Sequence, residues 1–269
     1  MLLETSLQMK AGGHVANYDF KDLGTINSLE DDKAQITEGF SFGSFNSVDN
    51  GYYLIERSAP SPGEKEITET IPYSQGILDF SMINDERYFT NRVITYKVEM
   101  FDRQYTDRKL LENSLKHQLM PVGVAVIKDT HDNGLHWLGK CKSIDVEDDE
   151  KYQTLVATID FDCYPFAIGN LAEGSDIWDE VFFPNCVFQK TKYDIDGSST
   201  IDVINVGDAA VSPEIIVTGD ITVSGNFGSV DISQGSYSDT PIVLSQGENT
   251  MSVSGTGTIE FKFYKEVMI

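Results

Sequence analysis

Gly39-Phe40-Ser41-Phe42-Gly43 satisfies the G-x-S-x-G pattern of a nucleophile elbow, in which a serine sits exposed on a strained turn between a strand and a helix. The residues that follow, SFNSVDNGYYLIERS, read as a turn and then a strand. The helix that an elbow needs is missing, and Phe40 and Phe42 read instead as inward-facing strand residues. His131 and His136 lie close together in KDTHDNGLHWLGK, with Asp129 and Asp132 nearby, but their spacing matches no ligand motif. That stretch reads as a solvated loop with Trp137 tucked beneath it. In YDIDGSSTID the glycine Gly197 is the fourth residue from Asp194 rather than the sixth, and no glutamate stands at the twelfth, so a hairpin turn is expected rather than a calcium loop. Glu147, Asp148, Asp149 and Glu150 form a carboxylate run, yet on so acidic a chain abundance does not make a glycosidase pair. Cys141, Cys163 and Cys186 are odd in number and lack CxxC spacing, which gives neither a disulfide framework nor a zinc site; they read as inert core thiols. No catalytic residue, metal site or cofactor is expected.

The elements around these residues are mostly strands. Ile94, Tyr96, Val98 and Met100 share one face of RVITYKVEMF, and Leu155, Ala157, Ile159, Phe161 and Cys163 share one face of QTLVATIDFDC. Between them TDRKLLENSLKHQLMP reads as one amphipathic helix, with Thr106 as its cap, Asp107 at its positive end, Leu111, Leu115 and Leu119 on one face, and Pro121 as its stop. From Lys192 to Lys262 there is no intervening Lys or Arg, while Gly, Ser, Thr and Asp abound, so a domain boundary is expected between about Asn170 and Lys192. Beyond it, Gly219-Asp220 between two β-branched runs is a hairpin signal, and Ile259, Phe261 and Phe263 alternate with Glu260 and Lys262. The spacing predicts a β-sandwich or jelly roll.

The formal net charge is −23, which argues against affinity for a phosphate backbone. No apolar run approaches the roughly 20 residues of a membrane span, and MLLETSLQMKAGG lacks a basic region and a long apolar stretch, so a soluble protein made in a cytoplasm, without membrane insertion, is expected.

One further segment combines a loop with an edge. Pro60 and Pro62 hold Ala59 and Ser61 extended, and then Ile67, Glu69, Ile71 and Tyr73 alternate with Glu66, Thr68 and Thr70 at strand period. Pro72 cannot donate to a ladder, which confines the strand to an edge or to its end. An exposed edge strand on an arm invites pairing with another chain; the plain alternative is a surface hairpin.

In order and at sensible spacing, EGFSFGSFNSVDNGYYLIERSAPSPGEKEITETIPYSQGILDFS, ERYFTNRVITYKVEMFD, LENSLKHQLMPVG, HDNGLHWLGKCKSIDVEDDEKYQTLVATIDFDCYPFAIG and AEGSDIWDEVFF resemble the distal tail protein family of phages infecting Gram-positive bacteria. The resemblance covers roughly Gly39 to Phe183, and the terminal LSQGENTMSVSGTGTIEFKF is similar to that family's galectin-like sandwich. It implies a mainly β fold: a belt domain over 38–172, β-sandwich-like with one α-helix and an extended hairpin arm, then a galectin-like β-sandwich over 173–269. Residues 1–37 are then an extra amino-terminal arm, because such proteins usually begin near GFSF.

The same resemblance implies a hexameric ring closed by the belt, with Glu66, Ile67, Thr68, Glu69, Thr70, Ile71, Pro72, Tyr73 and Gln75 on the surface between subunits. It implies a place at the virion tail tip, after assembly in the bacterial host cytoplasm, between the tail tube protein and the tail-associated, baseplate or receptor-binding proteins, with DNA crossing the lumen unbound. A lumen wall that is acidic or neutral follows from the net charge. Tyr18, Phe20, Leu23 and Ile26 are the expected anchors of the amino-terminal arm, either on a neighbouring subunit or as an addition to the chain's own first domain. A second functional reading is a carbohydrate-binding, galectin-like protein that aids host attachment, with Phe227 and Tyr237 as its aromatics or as core residues. A serine hydrolase at Ser41 is the third.

Overall fold

Apolar side chains alternating at period two are the pattern of strands with one buried face, and strands dominate the molecule accordingly. The computed structural model describes residues 38–82, 86–101, 105–149, 151, 153–175 and 186–269. The arm anchors Tyr18, Phe20, Leu23 and Ile26 lie outside the described residues. In chain order the elements are β1 (Phe40–Phe42), β2 (Phe45–Asn46), β3 (Tyr53–Ser58), β4 (Thr68–Glu69), β5 (Leu78–Asp79), β6 (Arg92–Phe101), the helix α1 (Tyr105–Leu119), β7 (Ala125–Asp129), β8 (Leu135–Asp149), β9 (Thr154–Cys163) and β10 (Ala167–Gly169). After these come β11 (Lys192–Asn205), β12 (Glu214–Gly225), β13 (Gly228–Ile232), β14 (Gly235–Tyr237), β15 (Gly247–Lys262) and β16 (Glu266–Val267). No described helix is long and apolar enough to cross a membrane.

The first sheet runs β2-β1-β7-β8-β9-β6-β3, with β10 joined to β8 and β16 joined to β10. Four strand spacings separate β1 from β6, about 19 Å in a flat sheet at roughly 4.8 Å each. Yet the Phe40 ring on β1 stacks on the Tyr96 ring of β6 with centroids 4.5 Å apart. The sheet therefore curls until its two wings face each other, the sandwich-like body expected for this half. Ile94, Tyr96, Val98, Leu155, Ala157, Ile159 and Phe161 fill it, and α1 closes one end with Leu115 and Leu119. The helix starts at Tyr105, so Thr106 lies within its first turn instead of capping it.

The second sheet runs β11-β15-β12-β13, with β14 also on β12, around a core of its own that includes Ile195, Val203, Val217, Val253 and Phe261. Two sequence expectations fail here for one reason. Gly197 and Gly219 were read as hairpin turns, but each sits inside a continuous strand, β11 and β12. They face two glycines of β15, Gly197 opposite Gly255 and Gly219 opposite Gly257. Gly255 and Gly257 have φ of 134° and 144°, and a Cβ at Gly257 would lie 1.7 Å from the Thr218 carbonyl oxygen. The glycines let three long strands bend together, so that one sheet encloses one core. The true turn is at Asn226 and Phe227, between β12 and β13.

The chain then returns to the first sheet. β16 pairs antiparallel with β10, Val267 is buried in the first core, and the Arg92 guanidinium donates to the Ile269 carbonyl oxygen at 2.8 Å.

Candidate functional site

Between β3 and β6 the chain leaves the first body as an arm. At its base Glu64 bridges Phe89, the Lys65 N–H donates to the Tyr88 carbonyl at 2.8 Å, and the Thr90 N–H to the Gly63 carbonyl at 2.8 Å. Arg87 pairs with Glu64 and lies over the Phe89 ring. Farther out β4 and β5 pair, Thr68 opposite Asp79 and Glu69 opposite Leu78. Ser81 fastens this hairpin: its hydroxyl accepts the Ile67 N–H at 2.8 Å, and its own N–H donates to the Asp79 carboxylate at 2.9 Å. Hydrogen bonds from the Ser81 hydroxyl and then from its N–H hold the Asp79 carboxyl below its ordinary pKa.

The strand is shorter than the sequence pattern predicts. Glu66 to Tyr73 was expected as one strand, and only Thr68–Glu69 pairs. Pro72 and Tyr73 end it, because Tyr73 has φ of 68° and the Ser74 N–H donates to the Ile71 carbonyl. Proline followed by a residue at positive φ is the geometry of a type II turn. Gln75 and Gly76 complete the tip.

The arm is apolar and uncovered. Ile67, Ile71 and Ile77 are 50%, 48% and 65% exposed, Leu78, Phe80 and Met82 are exposed as well, and Tyr73 stands free at the tip. Large side chains are thus exposed in series along a two-stranded ribbon, the kind of patch that a soluble monomer rarely presents. Glu66, Thr68, Glu69, Thr70 and Pro72 are exposed among them. Sequence reading singled out the outgoing half of this exposed arm and did not single out Ile77, Leu78, Phe80 and Met82 on the return. Their signal was the apolar pair after Gly76, hidden because the return strand is two residues long.

The chemical candidates resolve into structure. Ser41 lies mid-strand in β1, whose neighbours Phe40 and Phe42 are buried, and β1 is followed by a turn and β2, with no helix after it. Asp129 is enclosed rather than solvated: its carboxylate accepts the Tyr96 hydroxyl at 2.6 Å and Arg57 Nε at 2.9 Å, and Arg57 also pairs with Asp132. Burial raises the Asp132 pKa against the pull of Arg57. His131 is exposed in the turn, and His136 Nδ1 lies 2.9 Å from Asn170 Oδ1, its pKa lowered by burial. Trp137 is buried beneath, with Arg92 over its ring. No group of metal-binding side chains occurs among the described residues. Asp148 pairs with Arg108 of α1. Cys141 and Cys163 are buried thiols pushed up to about 11 and about 12, and Cys186 is partly exposed. Phe227 packs on the second core, while Tyr237 is exposed on β14.

No protein-family model and no curated protein matches the chain. Among solved structures, that of the Dit (gp 19.1) protein of phage SPP1, described as a paradigm of the hub adsorption apparatus in Gram-positive infecting phages, aligns at 13% identity with a TM-score of 0.59, covering 84% of this chain and 98% of that one. Two structures of the phage P2 baseplate in its activated conformation also align, with calcium at 9% identity and a TM-score of 0.38, and with strontium at 11% and 0.35. They cover 84% and 85% of this chain and 97% of each partner, at scores too low to add to the assignment. A mainly β structure with one helix among the described residues, an arm and a second sheet with its own core, superposing along nearly the whole of the SPP1 protein, gives this chain the fold of a phage distal tail protein.

Proposed function

We propose that the chain is a structural protein of a phage tail, placed at the tail tip, where copies close into a hexameric ring between the tail tube and the tail-tip or baseplate proteins. In this reading residues 38–172 form the ring, the arm from Glu66 to Gln75 is its belt, and 173–269 is a peripheral galectin-like sandwich. Residues 1–37 are an additional arm. DNA crosses the lumen without binding its wall. Assembly takes place in the host cytoplasm before the particle is released.

The observation that carries this reading is the arm: a hairpin held out from the body by its own ladder, with its large apolar side chains facing solvent. A monomer gains nothing from that arrangement. In a ring each arm meets a different surface on the next copy, a heterologous contact that closes when the rotation per subunit is right.

Paired substitution of Ile67 and Ile71 by Asp tests it. Both side chains are about half exposed in the single chain, so the variant keeps the monomer's unfolding free energy to within about 0.5 kcal/mol. In the assembly the same charges are buried unpaired, which costs more than the roughly 2–7 kcal/mol of an unpaired neutral polar group. Sedimentation velocity should show rings for the native chain and monomers for the variant; intact rings in the variant would remove the belt assignment.

A further inference from the structure

The root of the arm and the end of the chain meet at one side chain. Arg92 opens β6, where the arm rejoins the first body, and it is 3% exposed. Its Nη2 donates to the carbonyl of Ala59, the first residue after β3, at 2.5 Å. Its Nη1 donates to the Ile269 carbonyl at 2.8 Å and to the Pro165 carbonyl at 3.5 Å. The guanidinium lies over the Trp137 ring, and Nε has no partner among the described residues. Carbonyl oxygens and a ring thus hold this cation, and burial, then the neighbouring Arg57, lower its pKa. A buried charge is costly to leave half satisfied, so losing one acceptor weakens its hold on the others. A ring contact runs beside it. Phe89, on the returning side of the arm, meets Phe166 edge-on with centroids 5.7 Å apart, and Phe166 stands immediately before β10, the strand that receives β16.

The chain's end is gripped from two sides. On the side of the first sheet the Gly169 N–H donates to the Lys265 carbonyl at 2.9 Å, the Tyr164 hydroxyl to the Glu266 carboxylate at 2.8 Å, and Val267 is buried in the first core. On the side of the second sheet the loop after β11 takes hold of the same residues. The Asp208 N–H donates to the Glu266 carbonyl at 2.7 Å, and the Asp208 carboxylate accepts the Met268 N–H at 2.8 Å. Gly207 packs so closely that a Cβ there would stand 2.7 Å from the Glu266 carbonyl oxygen. Residues 264–269 therefore run from Phe263, buried in the second core, to Arg92 at the arm's root.

We infer that residues 264–269 are a strap through which the loop at Gly207 and Asp208 steadies the root of the arm, with Arg92 as the residue that couples them. The root needs such an anchor. Its ladder is short, the Lys65 N–H to the Tyr88 carbonyl and the Thr90 N–H to the Gly63 carbonyl, and a two-stranded ribbon is marginal in water without a body to pack on. Whatever shifts the loop on the second sheet then loosens the arm. By linkage, an arm seated against another chain tightens the strap. The inference concerns the single chain, and its failure would leave the ring reading standing.

Amide hydrogen exchange resolved to single residues tests it on the full chain, with Ile67→Asp and Ile71→Asp present throughout so that assembly does not cover the arm. Gly207→Ala wedges the loop away from the strap. Asp208→Ala, at an exposed position, removes only the bond to Met268, so misfolding of the first variant does not end the experiment. The Gly169 amide reports whether the strap is docked, and the Lys65 and Thr90 amides report the root of the arm. All three should exchange about tenfold faster in the variants, while the amides of β9 and β15 keep their native rates. A faster Gly169 amide with Lys65 and Thr90 unchanged would overturn the coupling. An unchanged Gly169 amide in both variants would overturn the grip of the loop on the strap. Equal acceleration in β9 and β15 would overturn the inference as well, since the loss would then be one of general stability.

Discussion

Asp129 holds the seam where the first sheet closes on itself. Its side chain is 1% exposed, and it joins Arg57 on the outermost strand β3 to Tyr96 on β6 while itself standing on β7. Removing it leaves the buried Tyr96 hydroxyl unpaired and Arg57 with Asp132 as its remaining carboxylate, at about 3–5 kcal/mol. Asp129→Ala should lower the urea unfolding free energy by that amount, and a loss under about 1 kcal/mol would show the seam to be held by the aromatic stack alone. Reading the sequence placed Asp129 in a solvated loop. It erred because Arg57 lies 72 residues away, and local pattern carries no information about a partner brought in by the curl of a sheet.

A second carboxylate contributes with a definite sign. Burial raises the Glu266 pKa above its ordinary value, in spite of the hydrogen bond donated by the Tyr164 hydroxyl. A raised carboxyl pKa favours folding below the unfolded value, and that contribution is lost as pH rises through the folded one. Glu266→Gln should therefore be the more stable protein at neutral pH, with the advantage disappearing as pH falls below the ordinary glutamate range. An advantage that persists at acid pH would contradict it. The thiols give a simpler check: at pH 8 the native chain should show one fast-reacting cysteine, Cys186, and three after denaturation, because Cys141 and Cys163 are buried and shifted far above that pH.

At the scale of elements, the strands with one buried face were legible and the bends were not. Alternation at Ile94 to Met100 and at Leu155 to Cys163 identified β6 and β9, and the leucine spacing identified α1. Gly197 and Gly219 were misread because a glycine between β-branched runs looks the same whether the chain reverses there or only bends. What decides is the partner strand, and Gly255 and Gly257 on β15 sit opposite them. Gly257→Ala would force a Cβ against the Thr218 carbonyl at a φ of 144°, where side chains are rarely found. The expected cost exceeds about 2 kcal/mol by calorimetry. Gly228→Ala is its control: φ there is 97°, but no atom lies within 4 Å of the added Cβ, so it should cost less. Equal losses at the two sites would mean that backbone conformation, rather than the close approach of β12, is what the glycine supplies.

For the molecule as a whole, ordered motifs foretold a mainly β fold, but not the path of the chain's end. Nothing in KEVMI distinguishes a strand of the second sheet from β16, which crosses back to β10, because two residues are too few to carry a period. The net charge does bear on the proposed ring. With −23 per chain, a duplex oligonucleotide should show no binding by fluorescence anisotropy at about 0.15 M salt, and salt-dependent affinity there would contradict a lumen that lets DNA pass.

The ring itself is the central claim, and mass measures it most directly. Native mass spectrometry of the purified full chain should give a discrete species at six times the 29.9 kDa of one copy. A spectrum holding only monomer across the micromolar range, or a ladder of open oligomers with no closed state, would contradict the account.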